Sequence, residues 1–167
     1  MIGLAARKRM AAQRVLSNRL PDGQQVADNV ALMRRMLADG EADARNMGMD
    51  PGVAANVAPS AALGVWLGSV FPGGHWDPKI RGNRIGDDHV GNINFGATGS
   101  TLFPAGILTR AAGIVQRYQH LVDPKRHPYD PSWGNPLTGT GTHVGDDPRD
   151  TRDIMKGVRA ANGQRRK

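Results

Sequence analysis

The 167-residue chain has no cysteine and only one glutamate, Glu41, all its other acids being aspartate. Without Cys there can be no disulfide, thiolate metal ligand or Cys nucleophile. No apolar run reaches the roughly 20 residues that span a bilayer, and Arg7, Lys8, Arg9 and Arg14 interrupt the stretch where a signal peptide would need unbroken apolar sequence. Neither a transmembrane helix nor a cleavable Sec signal is expected. EF-hand, H-E-x-x-H and H-N-H spacings are also missing, so no cofactor is expected, with a carboxylate-bound divalent cation as the alternative. The length is that of one domain with its own core.

What is present begins with charge. Lys and Arg number 22 against 15 acids, a net of +7, but residues 1–19 carry five cations and no acid, and the chain ends Arg165-Arg166-Lys167. Between these ends 14 basic groups face 15 acidic ones, so the body is close to neutral. The organisation expected is a basic N-terminal extension over 1–22, a domain over 23–163 and a basic tail over 164–167. The basic ends read as solvated and mobile, with a nucleic-acid groove as the alternative.

Apolar periodicity predicts helices over 24–47, 60–71, 104–122 and from 148 towards Gly163, with 48–59 as a connector. On the third, Ile107, Leu108, Ala111, Val115, Tyr118 and Leu121 form the expected buried stripe. Asp147-Pro148 opens the last, an acid at the cap and Pro at the first position. Four Pro and four Gly make 123–146 a loop. Weak alternation over 79–95 admits a short hairpin. The fold class is therefore mainly α, a compact single domain of about four helices with long Gly/Pro-rich loops at 72–103 and 123–146, where function is expected.

The glycine-rich stretch 73–99 gathers Trp76, Asp77, Lys79, Asp87, Asp88, His89, Asn92 and Asn94. Glycine lets backbone approach a ligand, and short polar side chains orient it, although the same composition also makes ordinary turns. The runs Gly73-Gly74-His75-Trp76-Asp77-Pro78-Lys79, Gly91-Asn92-Ile93-Asn94-Phe95-Gly96-Ala97-Thr98-Gly99, Ala112-Gly113-Ile114-Val115-Gln116 and Gly145-Asp146-Asp147-Pro148-Arg149-Asp150, the last continuing to Ile154 and Gly157, occur in that order. Together they resemble the bacterial polymorphic toxin type 44 family. The chain departs from that pattern at Phe95, where the family often has Tyr, and in an insertion-like stretch over 125–144.

The resemblance implies a toxin-like domain over 23–163, delivered by a secretion system into a competing bacterial cell and countered by a cognate immunity protein. It also implies a ribonuclease activity. Metal-independent RNA cleavage needs a base, an acid and positive charge at the phosphate. The catalytic candidates are Asp77 as acid/base or orienter, Lys79 as electrostatic stabiliser, His89 as proton carrier, and Asn92 and Asp150. Trp76, Asn94, Gln116, Gly96 and Gly99 are the substrate-binding candidates, the two glycines through backbone geometry. Metal-assisted cleavage would instead use Asp77, Asp87, Asp88, Asp146 and Asp150. A different class keeps Glu41 as the general acid of a peptidoglycan-cleaving muramidase acting in the periplasm, against its plain reading as an i,i+4 partner of Arg45. A third is a non-enzymatic interaction module using Trp76 and Trp133. A monomer is expected, with RNA as the leading substrate and peptidoglycan as the alternative.

Overall fold

The computed structural model describes residues 3–20, 23–71, 74–76, 88–141 and 143–163. Among them are six helices and no strand: α1 (Leu4–Leu16), α2 (Val26–Asn46), α3 (Pro51–Val70), α4 (Asp88–Gly99), α5 (Ala105–Val122) and α6 (Pro148–Gly163), with a 3-10 turn at Pro131–Trp133. The mainly α class holds, with six helices rather than about four.

The extra elements have physical causes. Residues 4–16 of the basic extension are helical, anchored at one end where Leu16 is buried and Ala12 and Val15 pack with Ala160 and Ala161 of α6. α3 starts nine residues before the expected Ser60, so most of the proposed connector is helix. Asp50 caps it, its carboxylate accepting the Gly52 N–H at 2.7 Å, and Pro51 takes the first position, where its missing N–H is not needed. Ala54, Ala58, Ala62 and Trp66, at steps of four, are its buried face against α2. Gly40 of α2 lies against Ala58, at a distance where an added Cβ would make ordinary van der Waals contact. Among the described residues α3 is also the one helix long and apolar enough to cross a membrane by length and composition. In the fold it packs on α2.

The correction at 88–99 is the most consequential. This half of the suggested hairpin, and of the suggested loop 72–103, is helix α4, packed against α6. Glycines normally weaken a helix. Here a Cβ at Gly96 would collide with the Ile154 carbonyl oxygen, and one at Gly157 with the Ile93 carbonyl oxygen. The two backbones are nearly in contact, and that packing overrides local propensity. Their N-terminal ends are linked by His89 and Asp153, and Ser100 and Asn162 line one recess at the other end, so the helices run the same way.

α4's polar residues are largely core. The Thr98 hydroxyl donates to the Asn94 carbonyl at 2.6 Å and accepts from the Trp66 indole N–H at 3.0 Å, while Asn29 Nδ2 donates to Asn94 Oδ1 at 3.1 Å. Of its expected stripe α5 buries Leu108 fully and Ala111 and Val115 in part, together with Thr109 and Gly113, whereas Ile107, Tyr118 and Leu121 are exposed. Gly113 decides this, because the Val144 carbonyl packs where its Cβ would stand. The glycines at 134, 139, 141 and 145 all have positive φ, which accounts for their number in the 123–146 loop.

Candidate active site

Because α4 and α6 run in parallel, their N-terminal ends meet. The end of α3, Trp76 and the middle of α5 close round them to form a cleft of about 500 Å³. Its apolar wall is Trp66, Leu67, Phe71, Trp76 and Phe95, and its polar groups include Asp88, Asn92, Asp146, Asp147 and Asp150. Concavity, aromatic walls and a few convergent polar groups are what a ligand site requires.

Asp88 and Asp150 stand in the first turns of α4 and α6, and Asp147 immediately precedes α6. Positive helix ends stabilise anions there, so these three need no further explanation. Asp147 Oδ1 accepts the Arg149 N–H at 2.7 Å, the cap read from the sequence. Asp146 is different, being 3% exposed. Burial, then the charge of Asp150, push its carboxyl from 3.8 up to about 7, against the opposing hydrogen bond that the Thr151 hydroxyl donates to it at 3.2 Å. It thus titrates near neutrality instead of near 4. Val144, two residues upstream, is the only described non-glycine residue with positive φ, at 53°, a region that β-branched side chains avoid. Its carbonyl packs on Gly113, so this strained turn is what carries Asp146 into the cleft.

Of the sequence candidates, the cleft collects Trp76, Asn92, Asn94, Gln116 and Asp150. Trp76 is buried in its wall. Asn94 is 1% exposed, with its oxygen held by Asn29 and its Nδ2 without a partner. Gln116 Nε2 donates to the Pro128 carbonyl at 2.9 Å and ties the 123–130 loop to the cleft's rim. Gly96 and Gly99 lie in helix packing, the latter against Leu108 and Trp66. Asp77, Lys79 and Asp87 lie outside the described residues. Among the described residues no group of three or more His, Asp or Glu is placed to hold a metal ion. Glu41 is not in the cleft: it pairs with Arg45 on the surface of α2. Trp133 stacks edge-on with Tyr129 in the loop.

His89 belongs to a second cluster. Its Nδ1 lies 2.6 Å from Oδ2 of Asp153, which is buried and whose Oδ1 accepts from Lys156 Nζ at 2.7 Å. The ring itself is half exposed. The sequence reading missed Asp153, and its position on α6 carries the only local signal, one helical turn after Asp150. Compared with known protein families, curated proteins and solved structures, the chain matches none.

Proposed function

We propose that the chain is a toxin-type hydrolase whose active site is this cleft, with Asp146 as general acid, Asp150 as its ionised partner and a neutral glycan as substrate. The observation that carries this reading is the pair of carboxyls in one cavity, one buried and pushed up to about 7, the other in the first turn of a helix, where the dipole favours an anion. Asp146 gives its proton to the leaving oxygen as the glycosidic bond breaks. Asp150 stabilises the developing positive charge or activates the water that replaces the leaving group, which restores the proton to the pair. Aromatic walls suit the apolar faces of sugar rings. Among the described residues that line the cleft, Asp88, Asp147 and Asp150 stand beside the raised carboxyl of Asp146 and face Arg126, a balance less suited to a polyanionic RNA strand than to a glycan. Peptidoglycan thus becomes the leading substrate, with Asp146 in the role that the sequence suggested for Glu41. Delivery into a competing cell and a cognate immunity protein are parts of the same proposal, resting on the motif resemblance.

The test is release of soluble fragments from purified peptidoglycan by the full chain, with Asp146→Asn and Asp150→Asn beside it. Release that falls at least 100-fold in both variants supports the reading. Absence of release by the wild-type chain overturns it.

One observation favours the ribonuclease reading instead. His89 is oriented by a buried carboxylate, with Lys156 on that same carboxylate, a base and a cation of the kind that 2′-OH attack uses. In that case RNA breakdown is lost in His89→Ala and kept in Asp146→Asn.

A further inference from the structure

We propose that α1 is a nucleic-acid-binding arm that holds a phosphate backbone through Arg7, Lys8, Arg9 and Arg14, independently of the cleft chemistry. Every residue from Leu4 to Ala11 is exposed, so the helix extends about 12 Å without burying a side chain before its anchor at Ala12, Val15 and Leu16. None of the four cations has an acidic partner among the described residues, and residues 1–19 hold no acid. The first turn has no acidic residue and the N-cap no side-chain hydrogen bond.

A 13-residue helix so lightly packed is marginal by itself, and crowding cations near its N-terminal end opposes the helix dipole. A polyanion would remove both penalties. Arg7, Lys8 and Arg9 are consecutive, so at about 100° per residue they spread over roughly 200° of the cylinder. The large exposed apolar residues Leu4 and Met10 fall about 120° apart. Hence the helix has no single apolar face of the kind that lies in a membrane interface. Cations on several sides suit the phosphates that flank a helix in a nucleic-acid groove.

The probe is a fluorescein-labelled 20-base-pair DNA duplex, titrated with the full chain at several salt concentrations and followed by anisotropy. Four phosphate contacts give a slope of log K against log salt of about −3.6, a loss of roughly 100-fold between 50 and 200 mM. Changing Arg7, Lys8 and Arg9 together to Gln should bring the slope to about −1, and changing Arg7 and Arg9 to Lys should leave it near the wild-type value. Circular dichroism of each variant shows whether the fold is kept. A flat salt dependence, unchanged binding in the triple Gln variant, or tighter binding to vesicles of 30% anionic lipid than to the duplex overturns the proposal.

Discussion

Asp146 is where a single residue has the largest consequence. Its folded carboxyl is raised above its unfolded value by burial and by Asp150, so the folded state binds the extra proton between the two values. Its contribution to stability is fully present below about pH 4 and is lost as pH rises through about 7. The stability of the chain, and with it the melting temperature, should therefore fall between pH 5 and pH 8, the loss in stability being on the order of 3 kcal/mol. Asp146→Asn, which keeps the shape without the charge, should flatten that profile and melt higher than wild type at pH 8. Parallel profiles in a thermal scan would show that Asp146 does not hold the proton. Glu41 offers the contrast, since it lies partly buried on the surface of α2 and pairs with Arg45 on its own helix. Glu41→Gln should leave toxicity intact and change stability by less than about 0.5 kcal/mol in urea unfolding. Both aspartates of the pair stand in plain view in the Gly145–Asp150 run, but composition could not say which is buried. That depends on the turn at Val144 and on what closes over it.

At the scale of elements, α4 separates local propensity from tertiary packing. Seven glycines over 73–99 read as a loop, and the helix at 88–99 exists because α6 needs a partner without side chains at the crossing. Gly96→Ala and Gly157→Ala should each destabilise by about 3 kcal/mol, since the new methyl meets a backbone carbonyl that cannot move aside. Gly64→Ala in α3 should do the reverse. Nothing lies within 4 Å of its Cβ position, so helix propensity alone acts, with a gain of up to about 1 kcal/mol. Urea midpoints of the three variants decide the matter. Helices α2, α5 and α6 were legible from their periods and from Asp147-Pro148, because their apolar residues recur at helical spacing. The first half of α3 is not legible in the sequence, because its buried residues are alanines and Pro51 reads as a helix stop as readily as the first residue of a helix.

Across the whole molecule the charge is unevenly held. The cations of α1 stand on a largely exposed helix, while aspartates cluster where α4 and α6 begin. The near-neutral total of the body conceals this, as charge along a chain is not charge in space. The glycan reading predicts that the domain, induced in a bacterium, stops growth when a periplasmic signal is added and spares the cell without one. Asp146→Asn should abolish that effect. Killing from the cytoplasm alone, lost in His89→Ala, would return the ribonuclease reading to first place.

The sequence by itself determined the helical class, the loop at 123–146, the cap of α6 and five of the residues that line the cleft, because each follows from local spacing or from short motifs. Only the tertiary structure decided that α4 is a helix, that Glu41 stays on the surface, that His89 is held by Asp153 and that burial raises the carboxyl of Asp146. Each of these depends on contacts between segments far apart in the chain, where burial and close backbone approach outweigh what any window of neighbours prefers.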